Sequence, residues 1–195
     1  VTFTRRLWSL FVIRGTFHTF GVTLWFFAMT QISIAEVTAM NYLTPIYVTI
    51  AAALFLGEKL ALRRIMAIVF AMIGVLLILR PGFRELSSGH IAMLAVAMMF
   101  CVSYLTAKMQ VDLVPPTVVV AMLSVTVTIG LAPMAYMNWI TPTFSEVVVL
   151  FGVACFATAG HFTMTLAFGA APLTVTQPVT FIQLVWAVAL GYFAF

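Results

Sequence analysis

The chain has 195 residues, of which 64% are apolar and only 7% charged, with a formal charge of +4. Soluble domains carry about 25% charged residues, so this composition excludes a water-solvated globule, a disordered chain and a protein devoted to nucleic acid. The basic balance (pI ≈ 9.4) rests on nine Lys/Arg against five Asp/Glu, and in a membrane protein it reads as anchoring of cytoplasmic loops.

A helix needs roughly 20 apolar residues to cross about 30 Å of hydrocarbon. Runs of that kind predict seven spans, at 7–29, 34–56, 64–80, 90–108, 117–138, 147–168 and 173–195. Polar, glycine or proline joints separate several of them: Gly57-Glu58-Lys59, Arg80-Pro81-Gly82, Pro115-Pro116, Thr141-Pro142-Thr143 and Ala171-Pro172. The ten-residue alternation of a membrane β-barrel is not visible, so an all-α integral membrane protein is predicted. With the first span starting inside, Arg5, Arg6, Lys59, Arg63, Arg64 and Lys108 fall on the cytoplasmic side, and Arg80 and Arg84 face out. No cleavable signal peptide is expected, since the first run is too long. Both ends are expected to be cut within a longer protein. Cys101 and Cys155 sit in apolar runs, which gives no disulfide framework.

In the first span Arg14 lies roughly 10 Å into the hydrocarbon at 1.5 Å per residue. A central Arg costs on the order of 2.5–3.5 kcal/mol, so such a residue usually faces protein or a wet cavity. His18, Gly21 and Trp25 share its helical face. This stripe is either a cavity lining or an anchor whose Arg snorkels to the surface. The second span carries Asn41, Tyr42 and Thr44 next to Pro45, which removes a helix hydrogen bond and frees the Asn41 carbonyl. Freed backbone at that depth suits a solute site or a packing kink. Glu58, past its end, is read as an interfacial residue pairing with Lys59, Arg63 and Arg64 at a tight turn. Ala67, Ala71 and Gly74, and again Gly152, Ala159 and Gly160, read as close-packing seams.

Ser103 and Tyr104 sit in the fourth span, and His161 deep in the sixth, where a packing role outweighs a proton relay. In the seventh, Gln177, Thr180, Gln183 and Trp186 recur every three residues, with Pro178 as a second helix break. They line a binding site or hydrogen-bond to other helices. No acid sits at mid-membrane, so coupling through a buried carboxylate is not expected. The twelve methionines read as filler.

Sliding the chain on itself pairs Gly21 with Gly160, Ala28 with Ala167, Tyr42 with Phe181 and Tyr47 with Trp186, each 139 positions apart. Asn41 then meets Thr180, and Thr44 meets Gln183. The second and seventh spans run in opposite directions, so the repeat is inverted, the arrangement typical of secondary transporters.

The stretch Ala28 to Arg80 resembles the second half of an EamA repeat of the drug/metabolite transporter superfamily. The resemblance is carried by Ala39, Leu43, Thr44 and Pro45, by Leu56-Gly57-Glu58-Lys59-Leu60 and by Gly74-Val75-Leu76-Leu77. Ala167, Pro172-Leu173, Pro178, Phe181, Gln183-Leu184 and Trp186 carry it in the second copy, where Leu184 stands opposite Pro45. The resemblance implies a bundle of two inverted repeats, divided here as 1–82 and 88–195. It also implies that the chain holds spans three to nine of ten. The implied activity is secondary transport, expected to be export, of a small polar or amphipathic metabolite across the cytoplasmic membrane by alternating access. The implied cavity is lined by the first, second, fourth, sixth and seventh spans. Arg14 would draw a carboxylate or phosphate, with Trp25, Tyr42 and Trp186 stacking on the solute and His18, Asn41, Thr44, Tyr104, Gln177, Thr180 and Gln183 completing the site.

Other classes fit less well. A retinal protein needs a Lys deep in a helix, and an intramembrane enzyme needs clustered ligands or a nucleophile with its base. An ATP-driven pump needs a phosphate-binding loop that the sequence lacks. A receptor, sensor or scaffold without transport is the alternative. No cofactor, metal or nucleic-acid partner is expected beyond the solute and the bilayer, and a homodimer is left open.

Overall fold

A computed structural model describes residues 3–79, 86–183 and 186. Among them are eight helices and no strand: α1 (Arg5–Gln31), α2 (Ile34–Asn41), α3 (Leu43–Phe55), α4 (Leu62–Leu79), α5 (Ser88–Val111), α6 (Pro116–Met137), α7 (Phe144–Ala170) and α8 (Leu173–Val179). Helices α1, α5, α6, α7 and the α2–α3 pair are long and apolar enough to cross a membrane, so the chain is an all-α, multi-pass membrane protein. The second predicted span is one helix interrupted at Tyr42. The joint at Arg80, Arg84, and Leu184 with nearly all of the last span beyond Gln183 lie outside the described residues.

Helix starts follow from their capping side chains, which satisfy N–H groups that have no partner inside the helix. Thr4 accepts from the Leu7 N–H at 3.3 Å. Ser33 with Glu36, and Thr143 with Glu146, exchange side-chain and backbone hydrogen bonds in reciprocal caps. Helix α5 is the hub. Its Ala92, Met93, Val96 and Ala97 pack with Ala28 of α1, Val37 and Met40 of α2 and Leu43 and Ile46 of α3. Further along, Cys101 and Ala107 join a cluster with Val48, Ala51, Ala52, Phe168 and Leu173. A helix apolar on all sides is expected to occupy this central place.

The glycines of the predicted seams meet no described neighbour, and close packing falls at other glycines. Among the described residues nothing lies within 4 Å of where a Cβ would sit at Gly74, Gly152 or Gly160, whereas one at Gly15 would lie 2.3 Å from Thr126 Oγ1 and one at Gly130 would lie 2.6 Å from Thr19 Oγ1. The spacing of small residues marks a possible seam, but only the neighbouring helix decides which face is used. Gly15→Val is therefore expected to wedge α1 from α6 and destabilise the fold by about 1–3 kcal/mol. The check is thermal unfolding of the purified protein against Gly74→Val, where the added group meets open space and little change is expected.

The 139-residue offset reappears as geometry. Helices α1 and α7 are both 27 residues long, and their starts, their ends, their threonine N-caps and the starts of α2 and α8 are all 139 positions apart. Leu7 and Phe11, at the start of α1, pack with Val114 and Val119 just past the end of α5. Lys108, also near the end of α5, reaches the carbonyl of Ala171 at the end of α7. Helices α1 and α7 therefore run in opposite directions, as an inverted repeat requires.

Candidate functional site

Two helix interruptions meet in the bundle. At Tyr42 the N–H bonds to the Ala39 carbonyl at 3.2 Å, short of the usual i−4 partner, because Pro45 has no N–H and its ring disturbs the turn before it. In α8 the same tightening follows Pro178, with Thr180 N–H donating to the Gln177 carbonyl at 3.0 Å and Phe181 N–H to the Pro178 carbonyl at 3.3 Å. Tyr42 and Phe181, the repeat-related pair, stack with ring centroids 5.7 Å apart and planes 25° apart. Irregular backbone at membrane depth is tolerated where protein or a cavity satisfies it.

Beside α8 lies a cavity of about 510 Å³, walled by α5, α7 and α8, into which Tyr104, His161, Phe168, Gln177, Thr180 and Gln183 face. Tyr104 sits between Phe100, whose ring is parallel at 6.3 Å, and Phe168 at 5.9 Å, giving an aromatic shelf. Gln177 is 1% exposed, and neither its Nε2 nor its Oε1 has a hydrogen-bond partner.

The predicted site residues fall into separate groups. Tyr104, Gln177, Thr180 and Gln183 gather around this cavity. Arg14 is 1% exposed and lies in the junction of α1, α5 and α6, where its Nη1 donates to Gln110 Oε1 at 3.0 Å and to the Val119 carbonyl at 3.1 Å. Its Nε and Nη2 are unpartnered. His18 bonds to Ser103 Oγ at 3.1 Å. Trp25 packs against the α1–α2–α5 cluster. Thr44 is buried with an unpartnered hydroxyl, Asn41 ends α2, and Trp186 is 65% exposed.

His161 is not the satisfied packing residue that was expected. Its Nδ1 is buried without a partner, its ring lies edge-on to His18 at 5.4 Å, and it lines the cavity. Its neighbours come from helices distant in sequence, so spacing along α7 alone gave no signal for it.

Glu58 also departs from expectation. Gly57 adopts a left-handed conformation (φ 69°), which glycine alone takes without steric cost, and the turn is tight as predicted. The carboxylate, however, accepts from the Leu173 N–H at 2.8 Å and the Thr174 N–H at 2.7 Å. It caps the start of α8, since two free N–H groups at a helix N-terminus are better partners than exposed cations. Arg64 donates to Thr174 Oγ1 at 2.8 Å, and Lys108 donates to the carbonyls of Phe168 and Ala171. Arg64 and Lys108 thus lie at one end of the bundle with Glu58.

Inverted helices and paired interruptions define a multi-pass helical bundle with a polar cavity beside its helix breaks. Residues 2–80 match the EamA-like transporter family, so the EamA resemblance holds over that stretch. Over 191 residues the chain is 26% identical to the S-adenosylmethionine uptake transporter of Rickettsia prowazekii (strain Madrid E), covering 94% of this chain and 63% of that one. It is 24% identical to the riboflavin transporter of Brucella anthropi, over 96% of this chain and 68% of the relative. It is 21% identical to the pseudopaline exporter CntI of Pseudomonas aeruginosa (strain UCBPP-PA14), over 98% and 68%. These relatives are named as transporters rather than enzymes. The chain spans 63% of the length of the first of them. No solved structure matches the chain.

Proposed function

We propose that the protein is a secondary carrier that moves a small polar or amphipathic metabolite across the cytoplasmic membrane by alternating access, in the outward direction. The observation that carries this reading is the meeting of the two repeat-related helix interruptions at Tyr42 and Phe181, beside the cavity of Tyr104, Gln177, Thr180 and Gln183. Broken helices at corresponding places of inverted repeats mark the solute site in carriers of this kind. The repeats divide as 1–82 and 88–195, and the two move against each other around that site. The relatives support solute transport, and their different named solutes agree with a cavity whose polar groups, rather than the fold, set the choice. Arg14 and His18 lie behind the cavity and supply its electrostatic bias, and Asn41, Tyr42 and Thr44 form the other side of the crossing.

The test uses the intact gene, expressed at matched membrane levels as wild type and as Thr180→Trp, with small molecules inside and outside the cells compared by mass spectrometry. A solute whose distribution shifts with the wild type and not with the cavity-filling variant is the expected result. No shift for any solute overturns the carrier reading.

A further inference from the structure

Gln177 is the polar group in the cavity wall whose state is least explained by folding. A buried amide with neither its donor nor its acceptor used costs about 1–3 kcal/mol per unsatisfied group in a native protein, and here both atoms are idle. The residue is not held by accident of position. Its carbonyl accepts from both the Thr180 N–H at 3.0 Å and the Thr180 hydroxyl at 2.6 Å, so its backbone is fixed while both polar atoms of its buried side chain are left without a partner. His161, on the facing helix, adds a third idle polar atom, its Nδ1. Tyr104 and Phe168 supply the aromatic shelf beside them.

The chemistry of the idle atoms narrows the occupant. A carboxylate or phosphate would satisfy the amide Nε2 and face the Oε1 with repulsion. An ammonium would do the reverse. A planar edge that carries a donor beside an acceptor satisfies both at once, since a glutamine meets it with two parallel hydrogen bonds. The aromatic shelf suits the flat faces of such a ring. The anionic solute expected from Arg14 is not what this wall recognises, because Arg14 is bonded to Gln110 and Val119 in another junction.

We infer that the cavity recognises a neutral, planar heterocycle or carboxamide with a hydrogen-bond donor beside an acceptor on one edge, read by the Gln177 amide and stacked along Tyr104. This rests on the carrier reading for its role in transport, but the binding itself does not.

The experiment measures calorimetric binding to the full-length purified protein. Its probes are adenosine, purine riboside, which is the same ring without the exocyclic amine, and benzoate, which is planar but anionic. Adenosine presents the adjacent N7 acceptor and N6 donor, and a bidentate pair of this kind is worth roughly tenfold to a hundredfold in discrimination. The wild type is expected to prefer adenosine over purine riboside by that factor. Gln177→Leu and Gln177→Met are each expected to bring the ratio near one, with unfolding temperature checked so that a misfolded variant is set aside in favour of the other. Equal binding of the two purines, discrimination that survives both substitutions, binding of benzoate alone, or no binding of any probe overturns the inference. Flux of the same probes into liposomes separates the two readings. Discrimination without flux removes the carrier and leaves the site, and flux without discrimination does the opposite.

Discussion

Arg14→Met is expected to leave the protein as stable as the wild type, or more stable, while lowering solute movement at least about tenfold. The guanidinium is buried and permanently charged, and it has two neutral acceptors, Gln110 Oε1 and the Val119 carbonyl, with Nε and Nη2 unused. Desolvating a cation costs several kcal/mol, and replacing buried charge by apolar volume is often neutral or stabilising by about 1–4 kcal/mol. Methionine fills much of the same space. Arg14→Ala differs because it also leaves a cavity, for which large-to-small changes in a core cost about 2–5 kcal/mol. The order of unfolding temperatures, Met at or above wild type and Ala below it, would show that the charge is retained against stability. A charge retained at such a cost needs a functional reason, here the positive field it sets behind the cavity, and about 1.4 kcal/mol of lost bias corresponds to roughly tenfold in rate. Arg14→Met that is less stable than Arg14→Ala would make the residue a structural tie between α1, α5 and α6. Normal solute movement in Arg14→Ala would remove it from the transport path.

Five of the seven predicted spans and the interruption at Tyr42 were readable in the chain because they rest on local physics: the length of an apolar run, and a proline that cannot donate. The repeat was readable because both copies keep the same offset, so that α1 and α7 begin and end 139 positions apart. The grouping of Gln177, Thr180 and Gln183 on one wall followed from helical spacing. What stayed hidden depends on partners far away in sequence. Arg14 finds Gln110 at a separation of 96 residues, Glu58 finds Leu173 at 115, and His161 meets His18 from another helix. No periodicity reports on such pairs. Each of these side chains is polar and costly to bury, so the sequence shows that a partner is needed without showing which.

Glu58→Ala is expected to open the end of the bundle that Glu58 now pins. Two cross-ties hold the α7–α8 turn there. Lys108 donates to the last carbonyls of α7, at Phe168 and Ala171, and Glu58 accepts from the first N–H groups of α8, at Leu173 and Thr174. Each tie places a charge where the helix ends carry the opposite partial charge, and hydrogen bonds to charged groups contribute about 1.5–3 kcal/mol each. Arg64, bonded to Thr174 Oγ1, adds a third. In a carrier that alternates, these ties must break whenever the cavity opens towards this basic end. Removing one shifts the equilibrium towards that open state, and about 1.4 kcal/mol of bias is a tenfold change in its population. The readout is a cysteine at Thr176, which lines the cavity, in a background in which Cys101 and Cys155 are replaced by alanine. A thiol reagent that cannot cross the membrane, supplied on the cytoplasmic side, is expected to label Thr176→Cys about tenfold faster when Glu58 is alanine. Lys108→Met should act in the same direction, because it frees the other end of the same turn. Labelling at the wild-type rate in both variants would mean that the ties brace the fold and take no part in opening.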